Sequence, residues 1–103
     1  MREMNLRQIW FSGTMKRKEG ERVEYIVYIL RCGDGSLYTG ITTDLERRVA
    51  VHNSGKGGKY TRSHLPVEPV YWETAPDKPA ALRRELAIKA MTREQKLELI
   101  DSK

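Results

Sequence analysis

Residues 23–42, VEYIVYILRCGDGSLYTGIT, constrain the fold more than any other stretch. The run 23–32 is rich in β-branched and aromatic residues, with apolar side chains on both parities. That is the pattern of a strand covered on both faces and therefore central in its sheet. Gly33-Asp34-Gly35 is a turn signal, and 36–42 returns as a second strand. Strand side chains alternate faces, so the loop length decides which way the tyrosines look. A two-residue turn pairs Gly33 with Ser36, sets Tyr38 against Arg31 and sends Tyr28 and Tyr38 to opposite faces. A three-residue loop with a left-handed glycine pairs Cys32 with Ser36, Tyr28 with Gly40 and Tyr38 with Leu30. Both tyrosines then share a face, and Gly40 opens a space above Tyr28. Taken alone, the hairpin favours two packing tyrosines with hydroxyls wetted at the rim.

The remaining elements follow from caps and breakers. Thr43 and Glu46 have capping-box spacing and predict a helix to about residue 53. NSGKGGKYTRSHLP (53–66) is a glycine-rich basic loop. Residues 67–75 form a third strand, which Pro69 pushes to an edge. Pro79 suits a first helical turn, giving a helix over 79–91. Thr92 and Gln95 make a second capping box that opens a helix to about residue 100. The order ββαβαα predicts an α+β fold, a small three-stranded antiparallel sheet flanked by helices. The 103 residues suit one domain, over 23–103. Residues 1–22, with the charged run MKRKEGER, are expected to be a flexible or weakly ordered extension.

Cys32 is the only cysteine, which excludes a disulfide framework and a cysteine zinc cluster. A reducing cytoplasm is the expected compartment. No stretch approaches the ~18 apolar residues of a membrane span. A net charge of +5 favours a nucleic-acid partner.

Three groups of residues could carry chemistry. On the first helix His52 shares a stripe with Leu45 and Val49, and Arg48 borders it one turn away. On the helix over 79–91, Ala81, Leu82, Leu86 and Ile88 define the expected buried arc, with Arg83 and Arg84 facing outward. Glu85 falls inside that arc with Lys89 beside it. A carboxylate there must be paired, either with Lys89 or with a divalent cation. The loop 55–64 offers Lys56, Lys59, Arg62 and His64 to a phosphate backbone and Tyr60 to a base. GKGGK has the wrong spacing for a P-loop, and no nucleophile elbow is present.

Together these residues resemble the GIY-YIG nuclease domain. Ile26-Val27-Tyr28 stands where the family reads Gly-Ile-Tyr, and Tyr38-Thr39-Gly40 where it reads Tyr-Ile-Gly. DLERRVAVH supplies Arg48 and His52, and ALRRELAIK supplies Glu85. The resemblance spans residues 24–100 and is greatest to the small single-domain bacterial branch. It departs from the family at the first motif's glycine. It also lacks the asparagine that follows the glutamate in some homing members.

The resemblance implies a metal-dependent endonuclease that hydrolyses nucleic-acid phosphodiesters, with DNA favoured over RNA as the expected substrate. The same resemblance implies one divalent cation, Mg²⁺ or Mn²⁺, held by Glu85. Tyr28 would activate water with help from Arg48, Tyr38 would orient it, and His52 would shuttle the proton or be the base itself. Lys56, Lys59, Tyr60, Arg62 and Lys89 would bind the nucleic acid. With no added DNA-binding domain in view, structure-selective or low-specificity action by a monomer, with a protein partner for recruitment, is expected. The alternative is a non-catalytic nucleic-acid-binding module on the same scaffold.

Overall fold

The computed structural model describes residues 24–103 and has the expected α+β architecture; the expectation for residues 1–22 lies outside the described residues. Strands β1 (Tyr25–Arg31), β2 (Leu37–Thr42) and β3 (Glu68–Ala75) form one antiparallel sheet in the order β2-β1-β3. The apolar run is therefore central. It buries Val27 and Ile29 with Tyr71, Ala75, Ala81 and Ile88 on one face. On the other it buries Tyr28 and Leu30 with Cys32, Leu45, Val49 and Val67.

The hairpin takes the three-residue loop. Tyr28 lies opposite Gly40 and Leu30 opposite Tyr38, so both tyrosines share a face. Cys32 N donates to Ser36 O at 2.8 Å, and Gly35 N to Cys32 O at 2.9 Å. Gly35 has φ 88°, the left-handed conformation that glycine adopts without Cβ strain. Asp34 caps the turn by accepting from Ser36 N and Oγ at 3.0 and 2.6 Å. On the other edge, β3 carries an irregularity where Ile29 faces Tyr71 and Leu30 faces Pro69. An edge strand with a bulge tolerates a residue that has no N–H.

Helix α1 (Leu45–Val51) starts one residue later than the Thr43 capping box predicts. Asp44 is the N-cap and accepts from Arg47 N at 3.1 Å. The Thr42 hydroxyl accepts from Asp44 N at 3.1 Å, which sets up the cap. The segment read as a loop is largely helical. A π-helical turn, His52–Lys56, continues α1 and breaks at Gly55, where φ is 85°. A short helix, α2 (Lys59–Arg62), follows.

Helix α3 (Lys78–Lys89) is capped by Asp77, whose carboxylate accepts from Ala80 N at 2.9 Å. Helix α4 (Arg93–Asp101) opens with the Thr92–Gln95 capping box as expected. The buried arc of α3 differs from expectation. Ala81 and Ile88 are buried, whereas Leu82 and Leu86 are 41% and 67% exposed. The small Ala81 sits under the helix where it meets the sheet, which rotates the two leucines outward. Arg84 is turned inward as well: its Nε donates to Glu73 Oε2 of β3 at 2.8 Å. Glu73 also accepts from the Tyr71 hydroxyl.

Candidate active site

Tyr28, in the middle of the central strand, is 1% exposed. Its phenol lies across Gly40 of β2. A Cβ on residue 40 would stand 2.6 Å from the Tyr28 hydroxyl oxygen and 2.8 Å from Cζ. The space above Tyr28 that the missing side chain opens is thus filled by the phenol itself.

Burial raises the pKa of this phenol above its ordinary value. The Arg48 guanidinium of α1 lies close to the hydroxyl and works the other way. Tyr38 and Glu85 raise it further, since a second negative charge nearby disfavours the phenolate. One hydroxyl on β1 therefore feels groups from three other elements: β2, α1 and α3.

His52 closes the site from the π-helical turn and is 0% exposed. Its Nδ1 lies 2.6 Å from Thr61 Oγ1, and that hydroxyl donates to Gly58 O at 3.2 Å. Its Nε2 is buried and has no partner, alone in this among the side-chain polar atoms of the described residues. Burial lowers the pKa of the ring, and the neighbouring Arg48 charge adds to the effect. Gly57 packs on the imidazole so closely that a Cβ there would stand 2.3 Å from Nδ1. Tyr38 meets the ring edge-on at 5.5 Å.

Tyr38 also begins an aromatic column. Tyr60 lies nearly parallel to it at 6.3 Å, and His64 stacks on Tyr60 at 4.5 Å. His64 Nε2 reaches Asp34 Oδ2 of the hairpin turn at 3.3 Å. The column joins the β1–β2 turn to α2. Lys56, at the end of the π-helical turn, and Lys59 and Arg62 on α2 are exposed. The basic residues are thus carried by helical backbone rather than by an irregular loop.

Glu85 forms the i,i+4 pair with Lys89, Nζ to Oε2 at 3.2 Å, while also acting on Tyr28. Lys89 is held there, away from Lys56, Lys59 and Arg62 in sequence and in its bonding. No group of three or more His, Cys, Asp or Glu residues gathers as a metal cluster among the described residues. A lone carboxylate near a phenol suits a hard cation that keeps most of its waters, which would have to displace the Lys89 ammonium. Mg²⁺ and Mn²⁺ are of that kind, and zinc with its closed set of nitrogen and sulfur ligands is not.

Tyr38, Arg48 and Glu85 all act on the ionisation of the Tyr28 hydroxyl, and His52 lies against Tyr38 and feels the Arg48 charge. Sequence reasoning missed Thr61, Gly57 and Asn53. Asn53 mimics a strand partner: Nδ2 donates to Val67 O at 3.0 Å and Oδ1 accepts from Val67 N at 2.7 Å. A threonine within a basic glycine-rich segment carries no sequence signal of burial. Asn53 stood at the predicted helix end, where asparagine is common as a cap.

Residues 24–98 match the GIY-YIG catalytic domain. The chain is 50% identical over 80 residues to a UPF0213 protein of Staphylococcus haemolyticus, covering 78% of this chain and 98% of that protein. The solution structure of a UPF0213 protein from Bacillus halodurans is 46% identical, with a TM-score of 0.52, over 78% of this chain and 85% of that one. A solution structure from E. faecalis is 39% identical, with a TM-score of 0.56, over 85% and 90% of the two chains.

Proposed function

Because the chain belongs to the GIY-YIG catalytic-domain family, we propose that it is a divalent-metal-dependent endonuclease that hydrolyses phosphodiester bonds in DNA. The observation that carries this is the gathering of Arg48, Tyr38 and Glu85 around the buried Tyr28 hydroxyl. Glu85 would hold the cation, Mg²⁺ or Mn²⁺, which when bound would supply Lewis-acid stabilisation of the charge that develops on the leaving oxygen.

The chain's own residues do the rest. Burial keeps Tyr28 protonated at neutral pH, so it enters the reaction as a phenol that orients the attacking water. Arg48 offsets the negative charge that grows on the phosphate oxygens. His52 is held neutral, and its Nε2 lone pair is the resident proton acceptor. That nitrogen is closed to bulk water, so its proton arrives through a hydroxyl of the site, for which Tyr28 and Tyr38 are the candidates. Lys56, Lys59 and Arg62 track the backbone, Tyr60, stacked between Tyr38 and His64, offers its exposed edge to the strand, and Lys89 would join them if a cation took its place on Glu85. Phosphate contacts of this kind position a strand without reading its sequence, which supports structure-selective or low-specificity cutting.

One observation favours a second function, a binding module without turnover: the Glu85 carboxylate is already paired with Lys89. Labelled single-stranded, duplex and branched DNA, with RNA counterparts, separate the two when incubated with Mg²⁺ or Mn²⁺. Wild type is expected to cut DNA. Glu85→Ala should abolish cutting, and Tyr28→Phe should slow it by about 10²–10⁴-fold, the usual contribution of a proton-handling group. Cleavage by Glu85→Ala at the wild-type rate overturns the metal assignment, and wild-type binding without cutting establishes the module.

A further inference from the structure

The hydrogen bonds around His52 fix which ring nitrogen carries the proton. Thr61 Oγ1 has a single hydrogen and two neighbours, His52 Nδ1 at 2.6 Å and Gly58 O at 3.2 Å. If the hydroxyl donates to Nδ1, its bond to Gly58 O is lost, and Gly58 O keeps only the backbone bond from Arg62 N at 3.0 Å. The ring hydrogen then sits on Nε2, as a buried N–H with no acceptor. If the hydroxyl donates to Gly58 O, Nδ1–H donates to Oγ1 and both contacts are hydrogen bonds. The atom left over is then only a lone pair. The second arrangement makes two bonds where the first makes one. It also avoids an orphaned buried donor, the costlier kind of unsatisfied group.

From this we infer that Thr61 is a positioning residue, which locks His52 in the Nδ1–H tautomer and keeps the buried Nε2 a bare acceptor. Three further features hold the lock. Thr61 is 0% exposed, so water cannot substitute for its hydroxyl. Gly57 leaves no room for the ring to swing, since even a Cβ there would overlap Nδ1. The π-helical turn carries His52 toward α2, where Thr61 sits. Such turns recur where a helix must aim a functional side chain. When Nε2 takes a proton, the imidazolium keeps Nδ1–H on Thr61, and no other hydrogen has to move. The inference rests on the proposed nuclease for its consequence, but the tautomer itself can be read without any cleavage.

Two-bond ¹H–¹⁵N correlation spectra of ¹⁵N-labelled protein at about pH 8 distinguish the tautomers, with His64→Gln used to assign the two histidines. Wild type is expected to show a protonated Nδ1 and an unprotonated Nε2 for His52. Thr61→Val, which keeps the shape and removes the hydroxyl, should convert His52 to the Nε2–H form. Thr61→Ser should restore the wild-type pattern. Cleavage should fall about 10–100-fold in Thr61→Val, the usual cost of losing an orienting partner, and return in Thr61→Ser. An Nε2–H signal in wild type overturns the inference, as does an unchanged tautomer in Thr61→Val. The wild-type spectrum alone suffices if the valine variant does not fold. A wild type that shows Nδ1–H but cuts nothing sinks the nuclease proposal and leaves the tautomer lock standing.

Discussion

Tyr28 and Arg48 depend on one another. The phenol belongs to the core, and its burial opposes ionisation, while the guanidinium beside it favours ionisation. Arg48 is the charge that favours the Tyr28 phenolate, so without it the pKa should move further up. An ultraviolet phenolate titration, with Tyr28→Phe subtracted to isolate one of the five tyrosines, checks this. Tyr28 should titrate above the ordinary value of 10.0, and higher again in Arg48→Gln. A midpoint at or below the ordinary value would mean that Arg48, not burial, sets the group. The tyrosines were legible as residues. The sequence could not say that burial would hold Tyr28 neutral, since that depends on α1 closing over the strand.

The hairpin is where an element's register makes the site possible. Gly40 faces Tyr28 because the loop has an odd number of residues, and the ring fills the place of the missing side chain. Gly40→Ala brings a methyl to 2.6 Å from the phenol oxygen, so the ring must leave its position over β2. Overpacking of this kind costs about 1–3 kcal/mol, which a denaturant midpoint will show, and cleavage should fall with the displaced hydroxyl. Wild-type stability and activity in Gly40→Ala would remove the close approach from the account of the site. The sequence offered both loop lengths and could not choose. The choice is made by a segment far along the chain. Gly33 N donates to His64 O at 2.6 Å, so it is unavailable to pair with Ser36 as a two-residue turn requires. A Cβ on Gly33 would stand 2.5 Å from Leu65 O, so the docking segment lies directly on the turn.

At the scale of the whole molecule, the buried imidazole couples the site to acid stability. The pKa of His52 is lower in the folded state than its unfolded value of 6.5. Above 6.5 both states hold the ring neutral and its contribution is complete. As pH falls below 6.5 the unfolded chain takes up the proton first, and folding stability declines until the folded ring also protonates. Asp34, whose carboxyl is held below 3.8 by hydrogen bonds from Ser36, loses its contribution only at lower pH. Chemical denaturation from pH 7 to 5 should therefore show falling stability in wild type and a flatter profile in His52→Gln. Equal slopes would mean that His52 is not held neutral. The central strand, the edge strand with Pro69 and the Thr92–Gln95 cap were all set by local chemistry, and so were visible in the sequence. Period and side-chain type are properties of a few adjacent residues. The rotation of α3 was only half visible: Ala81 and Ile88 lie in the expected arc, but apolar spacing does not say that the helix packs on them and leaves Leu82 and Leu86 exposed. The burial of Thr61 and His52 and the register of the hairpin were not visible either. Each is decided by contacts between segments tens of residues apart, and such contacts exist only once the chain has folded.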